Sequence, residues 1–391
     1  MCMLPLIARA RMLGLSIVLA TAGLGGYATI PASANGSVTW HVQAGNLDDL
    51  SFRSVAHEVL AFYNARTVVH PGDDILFTPV GDHTVTFNGI RVPGVPNFAY
   101  GDPNFPVGPT GNTLRFANRP GGALLTSGGF ATPPPPGSPA PPPGSPPPPP
   151  PTFTLHIGAD AAGPGVDSRA KHSSGDGESK GTTYKFFCMF HREMAGEITV
   201  LPAGSELPST DARNQIRAQK AMAADLARGR RALARASSNV EDNKVAAGLG
   251  VTSVQGLGTD SILRFAPATI EIKTGDSVTW INQDINAPHT VTFGTELPGP
   301  PGAPPGFLPY GGTTIASTSD QVNSGFLIYQ ELIDYINVSS LIPPGFVVTH
   351  QATFTFTKAG TYPYFCALHD FVGMVGTVVV KDEDNHGGNR G

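Results

Sequence analysis

Cysteine is scarce in this chain of 391 residues: it occurs three times, at Cys2, Cys188 and Cys366. So few exclude a small scaffold stapled by disulfides. Charge is sparse as well, with 25 Lys and Arg against 30 Asp and Glu, a net of −5. That leaves no basic excess of the kind a nucleic-acid-binding face uses, so no nucleic-acid partner is expected. Beyond the N-terminus no run is apolar enough to span a bilayer. His-x-His is absent throughout.

Glycine and proline are plentiful, at 47 and 38 residues, and 40% of the chain is hydrophobic. This composition favours strands joined by many turns over an all-helical protein. The length suits two domains of roughly 100–200 residues each.

The N-terminus reads as an export signal. Arg9 and Arg11 form a basic start, Met12 to Ala28 is apolar with Gly interruptions, and Ala32-Ser33-Ala34 offers a small-x-small cleavage site. Residues 1–34 are therefore expected to be removed, leaving no membrane span and a periplasmic or extracellular protein. There is no Arg-Arg pair for a twin-arginine route and no Cys after the apolar run for a lipid anchor. Cys2 leaves with the signal. Two cysteines remain, and in an exported chain a disulfide is the ordinary expectation.

An internal repeat points elsewhere. From Phe62 the chain reads FYNARTVVHPGDDILF and reaches DHTVTF; from Phe265 it reads FAPATIEIKTGDSVTW and reaches PHTVTF. Gly72-Asp73 and Gly275-Asp276 separate alternating stretches, which suggests a hairpin in each copy. Each copy closes with a matched segment, Tyr184 to Val200 and Tyr362 to Val380. A duplicated all-β unit of short strands is expected, each copy a Greek-key β-sandwich. The boundaries read as 35–203 for the first domain, with a Pro-rich insertion at 133–151, and 250–382 for the second. Residues 204–249 read as a helical linker and 383–391 as a polar tail. The helix candidate runs from Thr210 to Ala236, with Ile216, Ala223, Leu226 and Leu233 on one face and seven cations elsewhere. It reads as an interdomain strut. The Pro tract reads as a solvated polyproline II loop.

The chemistry gathers at the end of each repeat. Cys188, His191 and Met194 follow C-x2-H-x2-M; Cys366, His369 and Met374 follow C-x2-H-x4-M. A short loop can fold three side chains round one point. The fourth comes from the HTVTF segment, as His83 in one copy and His289 in the other. Two imidazoles, a thiolate and a thioether suit copper. Structural zinc rarely uses Met, and iron–sulfur clusters need more cysteine. Each Cys standing in its own repeat weighs against a disulfide between them.

These paired motifs resemble the cupredoxin family, in its plastocyanin-like and amicyanin-like branches. The longer loop is similar to plastocyanin and the shorter to amicyanin. The resemblance implies one copper per domain, held by His83, Cys188, His191 and Met194 and by His289, Cys366, His369 and Met374. The first copy departs from the pattern, with Phe77-Thr78-Pro79 where the second has Trp280-Ile281-Asn282, and with a disruption around Gly158 to Lys180. The implied function is electron transfer to or from a redox partner such as a cytochrome or an oxidase. A rival is a two-domain copper oxidoreductase of the nitrite reductase or multicopper oxidase type. That needs a further copper built from extra histidines, commonly wired through a His beside the Cys. Here Phe187 and Phe365 precede the cysteines, and with the lack of His-x-His this weighs against an enzyme. Copper buffering or delivery would use the same ligands.

Overall fold

The structure is a computed structural model that describes residues 37–48, 56–81, 83–89, 109–129, 152–163, 181–191, 193–238, 243–297, 306, 308–331, 333 and 348–382. The N-terminal segment read as an export signal, the Pro tract at 133–151, most of the disrupted stretch before Lys180 and the stretch at 383–391 lie outside the described residues. The described residues fall within one compact unit.

Strands dominate the regular structure of the described part. The first half contains β1 (Thr39–Leu47), β2 (His57–Tyr63), β3 (Arg66–Val69), β4 (Asp74–Pro79), β5 (Thr86–Phe87), β6 (Thr113–Leu114), β7 (Leu125–Thr126), β8 (Phe153–Ile157), β9 (Thr182–Phe187) and β10 (Ala195–Val200). A helix, α1 (Asp211–Ser238), follows. The second half contains β11 (Lys244–Thr252), β12 (Gly258–Ala266), β13 (Thr269–Lys273), β14 (Ser277–Gln283), β15 (Thr292–Phe293), β16 (Thr314–Ile315), β17 (Val322–Asn323), β18 (Phe326–Leu327), β19 (Val348–Thr349), β20 (Gln351–Phe356), β21 (Gly360–Phe365) and β22 (Val375–Lys381). β11 starts inside the stretch expected as linker.

The duplication is visible in the sheets. One five-stranded sheet runs β3-β10-β9-β5-β7 and its counterpart runs β13-β22-β21-β15-β17. The facing sheets of the two halves are joined into ten strands, β16-β20-β14-β11-β12-β2-β1-β4-β8-β6. The seam is the antiparallel pair β2–β12, where Glu58 lies opposite Ser261, Val59 opposite Asp260 and His57 opposite Ile262. Because His57 corresponds to Asp260 and Val59 to Ile262 in the repeat, a pseudo-two-fold axis passes between Glu58 and Ser261.

The two Gly-Asp turns do not make the expected hairpins. β3 pairs with β10 and β4 with β1 and β8, so the turn carries the chain from one sheet to the facing one. Gly72 and Gly275 take φ of 90° and 93°, as such an arch requires. The alternation was real, but both arms point into one core from opposite sides: Val69 from β3, Ile75 and Phe77 from β4.

Each core is centred on four aromatic rings. Phe62, Phe77, Phe87 and Phe186 are buried in the first half, and Phe265, Trp280, Phe293 and Tyr364 take the matching places in the second. Phe62 meets Phe186 edge-on at 4.8 Å, and Phe265 meets Tyr364 edge-on at 4.7 Å. Burying each such side chain is worth about 1.5–3 kcal/mol. Phe77 therefore does the packing of Trp280, whereas Pro79 stands where the second copy has Asn282, whose buried Nδ2 donates to the Ala287 and Leu327 carbonyls.

Residues alternate across β2. Leu60 and Phe62 enter the first core, while Val59, Ala61 and Tyr63 face α1. The helix starts behind Thr210, whose Oγ1 accepts the Arg213 N–H at 3.4 Å. Its packing stripe differs from the expected one: Ile216 is 53% exposed. Asn214, Ala218, Asp225 and Gly229 are buried instead, with Met222, Leu226 and Leu233 packed beside the strands. The stripe uses small residues and a paired carboxylate. Asp225 accepts from Tyr63 Oη and Ser253 Oγ, each at 2.9 Å, and hydrophobic periodicity does not register such positions. Among the described residues no helix is long and apolar enough to cross a membrane.

Candidate metal centres

Two groups of three metal-ligand side chains converge among the described residues: His83, Cys188 and His191 in one half, and His289, Cys366 and His369 in the other. Strand pairing brings them together. β5 lies beside β9, with Thr86 opposite Phe187, so the segment starting at His83 runs next to the strand ending before Cys188. β15 and β21 repeat this with Thr292 opposite Phe365.

The loops close by backbone bonds. Cys188 N–H donates to the Met194 carbonyl at 2.9 Å, and Cys366 N–H to the Met374 carbonyl at 3.0 Å. Both methionines are fully buried in the clusters that hold their cysteines. The longer second loop fits a 3₁₀ turn at Asp370–Val372, ended by Gly373 with φ of 86°. The repeated threonine latches loop to strand. Thr84 N–H reaches Cys188 Sγ at 3.4 Å, and Thr84 Oγ1 accepts Met189 N–H at 2.8 Å. Thr290 does the same, at 3.3 Å to Cys366 Sγ and 2.8 Å from Ala367 N.

The donor triangles are nearly superimposable. Cys188 Sγ stands 3.4 Å from His191 Nδ1 and 4.0 Å from His83 Nδ1, and the two Nδ1 atoms are 3.2 Å apart. In the second half the three sides are 3.4, 3.9 and 3.2 Å. A point equidistant from such donors lies about 2.1 Å from each, the length of a bond from a transition metal to nitrogen or sulfur. The tautomers agree. His83 Nε2 lies 2.9 Å from the Val80 carbonyl, which can only accept, so Nε2 carries the proton and Nδ1 presents a lone pair. Lone pairs aimed at one another across 3.2 Å repel unless a cation lies between them. The residues fit a metal ion.

Room for each histidine comes from a glycine in a β-bulge. β1 changes register between Ala44 and Asn46, and β11 between Ala247 and Leu249. Gly45 and Gly248 sit there with φ of 81° and 78°. A Cβ on Gly45 would stand 2.2 Å from His83 Nε2, and one on Gly248 2.1 Å from His289 Nε2. Sequence reasoning passed over both, although each follows an Ala at the matching place of the two repeats.

Electrostatics separate the halves. Burial lowers the His83 pKa to about 4, against the Val80 carbonyl. Burial likewise disfavours charge on His289, but Asp284 and Cys366 beside it outweigh this and raise it to about 9. Burial pushes the Cys188 thiol up, opposed by the Thr84 N–H. Cys366 is desolvated too, yet the neighbouring His369 and His289 hold it well below the ordinary thiol range. Asp284 is a third residue the sequence reading missed; its Oδ2 lies 3.5 Å from His289 Nε2, with both side chains fully buried.

The remaining described histidines stand outside both triangles. His57 contacts Asp260, His41 contacts Asp211, His156 contacts Asp74, and His70 and His350 contact backbone carbonyls. His172 and His386 lie outside the described residues.

A β-sandwich that gathers His, Cys and His at one end of two adjacent strands defines a cupredoxin-type copper protein. The family model for copper-binding proteins of the plastocyanin/azurin family matches residues 252–381. Plastocyanin of Scenedesmus fuscus is 32% identical over 126 residues, covering 32% of this chain and 95% of that protein. Chloroplastic plastocyanin of Tetradesmus obliquus is 36% identical over 126 residues, covering 32% of this chain but spanning only 64% of that relative's length. A solved purple cupredoxin from Nitrosopumilus maritimus aligns with 36% of this chain and 100% of its own, at 20% identity and a TM-score of 0.20. The chain belongs to the plastocyanin/azurin family of copper-binding proteins, and its cofactor is copper, with one candidate ligand group in each half.

Proposed function

We propose that the protein is an exported electron carrier with two mononuclear blue copper centres. His83, Cys188, His191 and Met194 hold the first; His289, Cys366, His369 and Met374 hold the second. The observation that carries this reading is the pair of matched donor triangles with converging lone pairs. Copper bound there supplies a one-electron couple.

The chain's own residues do the rest. The Thr84 and Thr290 amides point at the sulfurs and favour the thiolate form. The Val80 carbonyl fixes the tautomer of His83. The closed loops hold the donors in one arrangement, which suits a centre that must change charge with little movement. His369 is the ligand of the second centre that reaches the surface, and Phe371 two residues on is 68% exposed. This edge supports electron exchange with a redox partner protein. The basic and apolar N-terminal segment supports export.

Copper analysis with a visible spectrum tests the assignment. The purified full chain is expected to bind two coppers and show an intense thiolate-to-copper band. Cys188→Ser and Cys366→Ser should each remove one copper and the band of one centre. A disulfide between the two cysteines, or a colourless protein after cupric loading, would refute it. Cell fractionation of the full-length chain tests export; retention of uncleaved protein in the cytoplasm would count against it.

A further inference from the structure

The two centres differ most behind the histidine that arrives from outside the ligand loop. We propose that Asp284 sets the reduction potential of the second centre through its carboxylate, which faces Nε2 of His289 at 3.5 Å, whereas in the first centre the matching Nε2 donates to the Val80 carbonyl. The inference rests on His289 being a copper ligand.

Asp284 is not free to point elsewhere. Its Oδ1 accepts from Ser261 Oγ at 2.9 Å, from Asn286 N at 3.0 Å and from Ala287 N at 3.3 Å. Its own N–H donates to Asn282 Oδ1 at 2.6 Å. With one oxygen tied down, Oδ2 is aimed at His289 Nε2, 3.5 Å away, and both side chains are 0% exposed. Neither Oδ2 nor Nε2 has a hydrogen-bond partner, and each is the charged or polar group that the other faces. A role confined to shaping the loop would use Oδ1 alone. It would leave a buried carboxylate oxygen facing a buried imidazole for no purpose, and such groups are costly to leave unpaired.

The first half solves the same problem differently. The place of Asp284 is taken by Gly81, and His83 Nε2 donates to the Val80 carbonyl at 2.9 Å. An amide oxygen carries a partial charge, whereas a carboxylate carries a full one. Drawing the Nε2 proton towards a carboxylate makes the imidazole a stronger donor at Nδ1. A buried negative charge close to the site also favours the more highly charged metal state. Both effects stabilise the oxidised form of the second centre, so Asp284 lowers its potential. Ser261 acts in the opposite sense: its hydroxyl stabilises the carboxylate and weakens it as an acceptor. Ser261 lies on the seam opposite Glu58, so the setting of the second centre depends on the strand that joins the halves.

The test uses the full chain in a Cys188→Ser background, which leaves the second centre as the sole thiolate–copper chromophore. Redox titration following that band should show Asp284→Asn raising the midpoint. The expected change in the reduced-to-oxidised ratio is about tenfold, or 59 mV for a one-electron couple. Asn keeps an oxygen for the Oδ1 contacts while losing the charge. Cupric affinity should fall about tenfold relative to cuprous affinity, measured by competition with chelators specific for each state. Ser261→Ala should lower the midpoint, by about threefold in the same ratio. This second variant carries the test if Asp284→Asn does not fold. A midpoint unchanged by Asp284→Asn, or a rise with Ser261→Ala, would overturn the proposal, because mere loosening of the loop moves both variants the same way. In a Cys366→Ser background Asp284→Asn should leave the first centre's midpoint alone, and an equal shift there would overturn the local role. A Cys188→Ser parent without a thiolate–copper band would bring down the ligand assignment together with this inference. A parent with the band whose midpoint ignores Asp284 would bring down this inference alone.

Discussion

His57 and Asp260 occupy the same position in the two halves of the chain, and they meet: Nδ1 of one stands 3.1 Å from Oδ2 of the other across the β2–β12 seam, with each side chain 2% exposed. Duplication has placed a base on one strand and an acid on its twin, on either side of the pseudo-two-fold axis. Burial pushes the Asp260 carboxyl up, and its contact with His57 opposes that. The pair serves as a registration mark for two sandwiches that share one sheet.

Removing one member strands the other. His57→Leu or Asp260→Leu alone is expected to cost about 3 kcal/mol or more in urea unfolding. The double variant should recover part of the loss, with a coupling of about 1–3 kcal/mol. Strictly additive effects would show that the pair does not act as a unit.

Gly229 of α1 lies directly over this pair. In an exposed helix Gly→Ala stabilises by about 1 kcal/mol. Here the added Cβ would fall 1.8 Å from Asp260 Oδ2 and 2.6 Å from His57 Nδ1. Gly229→Ala is expected to destabilise instead, by about 1–3 kcal/mol, through the overpacking it forces. Thermal melts of wild type and variant decide the sign.

The bulge glycines should act each on its own centre. Gly45→Ala puts a methyl group on His83, and Gly248→Ala puts one on His289, both at left-handed backbone positions. Gly45→Ala should weaken copper binding at the first site by about tenfold or more and leave the second intact; Gly248→Ala should do the reverse. Copper titrations in the single-cysteine backgrounds read each effect separately.

Alkaline pH should weaken the fold steeply. Burial raises the pKa of Tyr63, with Asp225 adding to the effect; burial also raises Tyr364, and takes Tyr184 to about 12. Folded values above the unfolded value mean that the unfolded chain releases these protons first. The stability involved is fully present below about pH 10 and is lost as pH climbs through the folded values. Tyr63 and Tyr364 should each contribute up to about 1.4 kcal/mol per pH unit. Tyr364→Phe should make urea midpoints fall less steeply with pH above that point; an unchanged slope would remove Tyr364 from the account.

Much of the site could be read directly. Cys188, His191, Cys366 and His369 lie on short loops whose spacing allows few arrangements. His83 and His289 were traceable because HTVTF occurs twice. Strand alternation and the repeat were enough for an all-β duplicated protein. The helix was visible as a helix, and Leu226 and Leu233 as part of its packing face, but the buried Ala218, Asp225 and Gly229 were not, since they carry no hydrophobic signal. The Gly-Asp turns were legible as turns, but local pattern does not tell a hairpin from an arch between facing sheets, because both alternate.

What the sequence determined by itself is the candidate donor set and the duplicated strand pattern, since these depend on residue type and spacing within a few positions. What only the tertiary structure decided is the fusion of two sandwiches into a ten-stranded sheet, the meeting of His57 with Asp260, the room Gly45 and Gly248 make, and the carboxylate of Asp284 behind His289. Each of these depends on groups brought together by strand register or by a close approach between separate elements. No local run of residues encodes such distances until the chain has folded.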